Sequence, residues 1–210
     1  SADGDLAAVS LRQSLSSSDD YESWIEIYQV SDGTLFQTYR CHPSLTQINW
    51  APAGRKFSYT TQNKTGSTLW IIEIDTGTTL SLLKNVKNMG SHIWSPLGSS
   101  IFYYVRDEGE KDLPEVKKIQ TIEDRQPFWR DRNFLYQVTI PDGISKRITA
   151  GELTTSLNSI SPDGSKMVFT RILPDYSRRP YSRTELYVLD IKTCLLYTSP
   201  SPRDRTRSRM

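Results

Sequence analysis

The sequence predicts an all-β protein: a partial β-propeller of four consecutive blades, each a four-stranded antiparallel sheet, open rather than closed. A turn that ends in glycine precedes an apolar strand at four places, and the glycines are 50, 44 and 66 residues apart: Gly4, Gly54, Gly98 and Gly164. A second motif, an alternating strand that runs into a polar turn, follows each copy of the first. Four short strands in each period of about 40–45 residues are typical of a propeller blade.

The first turn has a physical rationale at each position. Proline presets φ at the first corner, Ser or Asp can bond nearby backbone amides, and glycine adopts positive φ at little cost. A Trp or Ile before the turn can fill the space between neighbouring sheets. The residues assigned to this structural role are Gly4, Trp50, Gly54, Trp94, Pro96, Gly98, Pro162, Asp163 and Gly164.

The repeat places the blades at about residues 1–40, 41–84, 85–149 and 150–193. It predicts three strands in the first blade, four in each of the next two and three in the last, so that the two strands that would close a ring are missing. An open arc with bare edges predicts a poorly soluble chain. A β-sandwich is the alternative fold, but it does not predict the same two turns in the same order four times.

The connection between the second and third strands of a blade varies most in length. It is short in the second blade, at residues 62–68, and we expect long ones at 11–23, 106–133 and 172–184. These connections would emerge on one face of a propeller, and loops on a rigid scaffold commonly carry binding. Apolar residues at three-residue spacing predict a short helix at 114–124 within the third-blade insert.

Guanidinium and aromatic side chains are concentrated in the long connections of the third and fourth blades. One interpretation is a recognition surface for carboxylates, peptide carbonyls or a partner domain. The other is a pair of loops that hold themselves in place through Arg–acid pairs and the packing of Trp129. The candidate residues are Arg125, Phe128, Trp129, Arg130, Arg132, Tyr176, Arg178, Arg179 and Tyr181.

Charge and composition exclude several classes of function. The net charge is +2, but four arginines and one acid lie in residues 194–210, so residues 1–193 sum to −1 and nothing there predicts binding to nucleic acid. No apolar run approaches the roughly 18 residues of a membrane span. Ser1 is followed by no signal-peptide pattern, and the two cysteines, Cys41 and Cys194, leave the compartment open. His42 and His92 have no Cys partner at metal-ligand spacing, so we expect neither a metal nor a cofactor.

The motifs of common catalytic sites are absent from the sequence. It has no Gly-x-Ser-x-Gly nucleophile elbow, no His-Glu-x-x-His and no phosphate-binding glycine loop. Glu108 and Glu110 could supply paired carboxylates for glycoside chemistry, although a solvated loop is the simpler interpretation. Asn63 begins a glycosylation sequon. No catalytic residue is therefore assigned.

The blade motifs carry a resemblance. Trp94-Ser95-Pro96-x-Gly98 and the turn at residues 160–166, with strand 185–190, resemble the N-terminal propeller of prolyl oligopeptidase-type serine peptidases, such as dipeptidyl peptidase IV and acylaminoacyl peptidase, and the TolB-type bacterial propellers. The insert at 113–132 and the segment 174–181 look like bacterial members of the peptidase family. The resemblance covers about residues 1–193. It implies a propeller that caps an α/β-hydrolase domain and screens peptide substrates by size, with the Ser, Asp and His of the triad outside this chain.

The last residues show a different resemblance. Residues 194–205 look like translated sequencing-adaptor read-through, and Cys194 stands where the repeat expects a glycine. We therefore expect a non-native or disordered tail at residues 194–210.

Three functions stay open at this point. The first is the non-catalytic, substrate-gating propeller of a serine peptidase, with the hydrolase domain and peptides as its partners. The second is a TolB-like propeller that binds protein without enzymatic activity. The third is a propeller with its own chemistry, such as a lyase or a glycosidase.

Overall fold

A computed structural model describes residues 1–14, 21–41, 44–109, 131–177, 179 and 181–198. These residues contain fifteen β-strands in four sheets and no helix, which confirms the all-β class. Across the same ranges, no helix is present that could cross a membrane. The predicted helix at 114–124 lies outside the described residues.

Each sheet is a meander in which strands that follow each other in sequence lie side by side. Sheet 1 contains β1 (Leu6–Ser14), β2 (Tyr21–Gln29) and β3 (Leu35–Cys41). Sheet 2 contains β4 (Ser44–Trp50), β5 (Lys56–Asn63), β6 (Gly66–Glu73) and β7 (Thr78–Val86). Sheet 3 contains β8 (Met89–Trp94), β9 (Ser100–Asp107), β10 (Arg132–Thr139) and β11 (Ser145–Arg147). Sheet 4 contains β12 (Thr155–Ile160), β13 (Lys166–Pro174), β14 (Ser182–Asp190) and β15 (Leu196–Thr198).

These sheets are blades of a β-propeller, and the pairing is that of an open one. No described strand from one end of the chain joins a sheet at the other end, so strand pairing closes no ring. The predicted count of three strands in the first blade and four in each of the next two is confirmed.

The predicted count of three strands in the last blade is wrong, because β15 pairs with β14 from Leu189↔Leu196 to Tyr187↔Thr198. This strand lies inside the segment expected to be a disordered tail. Its turn closes without glycine because Cys194 adopts a φ of 59°. Residues 199–210 lie outside the described residues.

The hairpins are longer, and their connections shorter, than the sequence suggested. Strand pairing extends to Ser14↔Tyr21 in sheet 1 and to Pro174↔Ser182 in sheet 4, which leaves connections at 15–20 and 175–181. In sheet 2 it extends to Asn63↔Gly66. Polar residues such as Arg12 continue the first strand, because the Arg12 guanidinium lies 3.7 Å from the centre of the Tyr21 ring on the paired strand.

One hydrogen bond recurs in all four sheets. In each sheet, the amide of the residue that follows β2, β6, β10 or β14 donates to the carbonyl of the residue after the turn glycine. The pairs are Val30 to Asp5, Ile74 to Arg55, Ile140 to Ser99 and Ile191 to Ser165, at 2.8 to 3.0 Å. The four turn glycines, Gly4, Gly54, Gly98 and Gly164, have φ between 67° and 82°. The repeat seen in the sequence is therefore also a repeat in backbone geometry.

Serine and aspartate side chains complete the glycine turn of sheet 4. In sheet 4, Ser161 and Ser165 donate to the Asp163 carboxylate at 2.5 and 2.7 Å, and the Lys166 amide donates to Ser161 Oγ at 2.9 Å. The two serine bonds, that of Ser161 above all, lower the pKa of Asp163 to about 2. The Ser-Pro-Asp-Gly motif thus builds its own turn from local donors and acceptors.

The chain divides into two compact units, one of residues 1–105 with 137–146 and the other of residues 106–136 with 147–210. The first unit contains a core of Ile and aromatic side chains from sheets 1 and 2, in which the Phe57 ring lies 5.7 Å from Tyr39 and 5.5 Å from Trp50. The largest buried side chains of the second unit include Leu135, Met167 and Phe169. Burial of such apolar faces is the main stabilising term for sheets of this size.

Within the first unit, Trp94 joins sheet 3 to sheet 2. Its indole nitrogen donates to Asn49 O at 3.1 Å and to Ser58 Oγ at 2.8 Å, and its side chain is buried. The tryptophan before the glycine turn therefore packs between neighbouring sheets and also satisfies its polar N–H there.

Candidate functional site

Two crossed ion pairs lie at the neck of the third-blade insert, where β9 ends and β10 begins. Arg106 pairs with Asp131, and Arg132 Nη2 lies 3.2 Å from Asp107 Oδ2. A second amino group of Arg132 lies 3.3 Å from Glu152 Oε2. The bond from Asp131 also raises the pKa of Arg106. Arg–acid pairs therefore join the two strand ends at the neck. The choice between a recognition surface and a self-supporting loop stays a prediction, because most of the insert lies outside the described residues.

The ion pairs at the neck contribute little to the free energy of unfolding. The Asp107 and Glu152 side chains are 48% and 88% exposed, and ion pairs at such positions are worth about 0–1 kcal/mol. The pairs join the end of β9 to the start of β10. Of the candidate residues, Arg125, Phe128, Trp129 and Arg130 lie outside the described residues, as does Arg178.

The fourth-blade connection is a tight loop at residues 175–181. The Asp175 amide donates to Tyr181 O at 3.0 Å, the Ser177 amide donates to the Asp175 carboxylate at 3.1 Å, and Tyr181 has a φ of 65°. Tyr176 and Arg179 are exposed at its tip. Within the part of the chain that the structure describes, no hydrogen bond, ion pair or ring contact joins Arg132 to Tyr176, Arg179 or Tyr181.

A second group of arginines, which the sequence did not single out, is stacked on aromatic rings in the second unit. The Arg147 guanidinium lies 3.7 Å from the centre of the Phe134 ring. The Arg171 guanidinium lies 5.3 Å from Phe169 and 5.4 Å from Tyr187, whose rings stack 5.5 Å apart. Aromatic faces attract guanidinium groups and hold them flat.

A cavity of about 360 Å³ opens beside these two arginines. Its walls are mixed: the guanidinium groups face apolar and backbone surface from β13, β14, β15 and the segment after β11. The lining residues are Arg147, Ile148, Thr149, Ala150, Phe169, Arg171, Leu189, Cys194 and Leu196. We refer to this cavity as the arginine pocket.

Burial and like charge both act on the arginine pocket. They lower the pKa of Arg171 from its ordinary value, burial more than the neighbouring Arg147. Arg171 still donates to Ala150 O at 2.6 Å, and Arg147 donates to Thr149 O at 2.7 Å and to Gly151 O. No carboxylate among the described residues pairs with either arginine. The pocket is therefore cationic, and some of its guanidinium N–H donors form no hydrogen bond with a described residue.

No metal centre is found among the described ranges. No cluster of three or more His, Cys, Asp or Glu side chains there could hold an ion. Glu108 is exposed just after β9, whereas Glu110 lies outside the described residues. The paired-carboxylate hypothesis thus stays a prediction.

Comparison with known proteins gives fold relatives only. No family model matches the chain, and no curated protein matches it. Among solved structures, the acylaminoacyl peptidase of Pyrococcus horikoshii matches 93% of this chain and 30% of its own, at 16% identity and a TM-score of 0.71. The β-propeller domain of the Trilobed protease from Pyrococcus furiosus matches 94% and 54%, at 16% identity and a TM-score of 0.65. A putative TolB from Agrobacterium tumefaciens matches 93% and 61%, at 17% identity and a TM-score of 0.55.

The chain thus spans about a third of the peptidase and less than two thirds of each of the other two structures. At these identities the likeness concerns the fold. The resemblance inferred from the blade motifs is confirmed at that level: the chain has the β-propeller fold found in acylaminoacyl peptidase, the Trilobed protease and TolB.

Proposed function

We propose that this chain is a non-catalytic part of the propeller of a prolyl oligopeptidase-type serine peptidase, and that the propeller restricts the access of peptides to an α/β-hydrolase domain outside residues 1–210. The observation that supports this most is the higher TM-score against acylaminoacyl peptidase than against TolB at the same coverage of this chain. The blade motifs, which look like those of the same family, support it independently.

The chemistry of the chain fits a gating role. Its sequence has no nucleophile elbow, so a Ser-His-Asp site would be supplied from elsewhere. A propeller of hairpin sheets is a rigid frame, and connections such as 108–131 and 175–181 are the segments that can meet a substrate or a neighbouring domain. Binding and exclusion by such a frame set which peptides reach the catalytic serine, without touching the reacting bond.

A TolB-like binding propeller is the second candidate. The TolB structure shares the fold over nearly all of this chain, and the absence of catalytic motifs fits a binding protein equally well. Such a protein would use the same connections to hold a protein partner, with no hydrolase domain beside them.

The reading frame of an intact copy of the gene separates the two candidates. The peptidase proposal predicts a Gly-x-Ser-x-Gly motif followed by Asp and His in one hydrolase-sized segment after the propeller. The encoded enzyme should then cleave short chromogenic peptides, spare a long unfolded protein, and lose all activity when the motif serine is changed to alanine. A stop codon directly after the propeller, with no peptidase activity, would select the binding protein. Equal cleavage of short peptides and long proteins would overturn the gating role.

A further inference from the structure

Three cavities of the described structure are lined by cationic side chains. In two of them the cation is paired with an acidic side chain, whereas in the arginine pocket it has no acidic partner among the described residues. In the 490 Å³ cavity beside Gly4, Arg55 lies 3.3 Å from each of Asp3 and Asp5. In the 660 Å³ cavity beside Trp94, Lys56 lies 2.9 Å from Glu73. Arg147 and Arg171 have no such partner among the described residues, although both line the same cavity. Two neighbouring cations in a cavity favour an anion between them.

The donors of the two guanidinium groups are only partly used. Arg171 donates to Ala150 O through Nη2, and its buried Nε has no partner in the described part of the chain. Arg147 donates to Thr149 O through Nε and to Gly151 O through Nη2. The Nη1 groups of both side chains form no hydrogen bond with a described residue, and a guanidinium edge matches the two oxygens of a carboxylate. Stacking on Phe134, Phe169 and Tyr187 holds both groups in place before any ligand arrives.

The remaining walls favour an apolar substituent on that anion. Leu189 and Phe169 are buried in the wall, and Leu196 lies at its exposed end. At about 360 Å³ the cavity is at the lower end of the range for small-molecule sites, so it fits one amino-acid-sized group. A free inorganic anion would leave this apolar surface uncovered.

We propose that the arginine pocket binds a carboxylate carried on a short apolar group, as at the C-terminus of a peptide that ends in an aliphatic residue. The two guanidinium groups hold the carboxylate, and Leu189 and Phe169 contact the aliphatic side chain. Every residue that lines this site belongs to this chain, so its binding can be measured on the chain alone, and failure of this proposal leaves the gating proposal untouched.

Titration followed by NMR of the arginine Nε–Hε signals tests the site. N-acetyl-leucine should shift the signals of Arg147 and Arg171. N-acetyl-leucinamide, which lacks the charge, should bind at least about tenfold more weakly. A short peptide with a free C-terminal leucine should bind like N-acetyl-leucine. The same peptide with an amidated end and an internal glutamate distinguishes a terminal carboxylate from a side-chain one, and tight binding of that peptide would move the assignment to acidic side chains.

Variants give the matched control. Arg147→Gln, at an exposed side chain, should weaken binding of N-acetyl-leucine about tenfold, and Arg171→Lys should weaken it by less because the charge stays. Arg40→Gln, which removes an exposed arginine paired with Glu22, should leave it unchanged. Equal binding of the amide, tighter binding of inorganic phosphate, or no loss in Arg147→Gln with the melting temperature preserved would overturn the proposal.

Discussion

The Oγ atom of Ser58 in β5 lies 2.8 Å from Nε2 of His92 in β8, between sheets 2 and 3. Asn49 Nδ2 lies 3.2 Å from the same nitrogen, and Trp94 donates to the same hydroxyl at 2.8 Å. Because the Asn49 amide nitrogen can only donate, this contact favours Nε2 of His92 as an acceptor and a proton on Nδ1, which is buried and has no hydrogen-bond partner among the described residues. A second proton on Nε2 would face a donor, so the site holds histidine in its neutral form.

The first prediction concerns acid stability. Burial lowers the pKa of His92 from 6.5 to about 4. Between these two pKa values the unfolded chain binds a proton at His92 that the folded chain does not. The free energy of unfolding should therefore fall as the pH drops from 6.5, and the contribution of His92 should level off below about pH 4. The loss should reach about 3 kcal/mol, measured by urea unfolding across this range.

The two histidines of the chain provide the control for that measurement. His92→Gln should flatten the pH dependence between 4 and 6.5 whatever its effect at neutral pH. His42→Gln should keep it. An unchanged slope in His92→Gln would show that other groups govern the acid transition.

The second prediction uses two glycines with the same backbone angle. Gly77 and Gly143 both have a φ of 68°, but a Cβ on Gly143 would lie 2.9 Å from Leu82 O, whereas one on Gly77 would meet nothing within 4 Å. Gly77→Ala should lower the free energy of unfolding by about 1 kcal/mol, the cost of a positive φ at a residue with a Cβ. Gly143→Ala should lower it by about 1–3 kcal/mol more, because its Cβ also meets the Leu82 carbonyl. Urea midpoints compared at equal m-values measure the difference. Equal losses would mean that the Leu82 carbonyl moves away without cost.

The third prediction concerns the last turn of the second unit. Cys194 donates its amide to Asp190 O at 2.9 Å with a φ of 59°, as Gly143 does to Thr139 O at 3.0 Å with a φ of 68°. Cys194→Gly should therefore stabilise the chain by about 0.5–1 kcal/mol under reducing conditions. It should also slow amide exchange in β15.

Cys194→Ala separates the backbone from the thiol. It keeps the Cβ in the left-handed region, so it should give no gain. If the alanine variant gained as much as the glycine variant, the thiol rather than the backbone would be the source of the cost.

The fourth prediction is a small effect. Asp107→Asn removes one ion pair at the insert neck but leaves Arg132 with Glu152. Because these groups are largely exposed, the free energy of unfolding should change by less than about 1 kcal/mol, and by less still in high salt. Thermal melts at low and high ionic strength measure it. A loss of several kcal/mol would make the neck a stabilising element rather than a positioning one.

There are physical reasons why some parts of the fold could be predicted from the sequence and others could not. The blades were predictable because a turn such as Ser161–Gly164 is built from local donors, a proline and a positive-φ glycine, all legible in a short window. Strand β15 was missed because Cys194 adopts a glycine angle that its side chain disfavours. The strand ends at Ser14 and Tyr21 were missed because Arg12 supports them through a contact across the hairpin.

The arginine pocket could not be read from sequence at all. Arg147 and Arg171 are 24 residues apart and lie in different sheets, and only packing on Phe134 and Phe169 places them at one cavity. His92 looked isolated for the same reason, since Asn49 and Ser58 reach it from another sheet. Candidate sites made by contacts within one hairpin can be predicted from the sequence, whereas sites made by contacts between sheets can be identified only when the fold is known.

Scalar couplings across hydrogen bonds test directly whether the four blades repeat the same backbone geometry. NMR on the uniformly labelled chain should show a coupling from the amide nitrogen to the carbonyl carbon for each equivalent pair: Val30 to Asp5, Ile74 to Arg55, Ile140 to Ser99 and Ile191 to Ser165. All four couplings are the expected result. Couplings from these amides to other carbonyls, as in two layered sheets, would contradict the four-blade architecture.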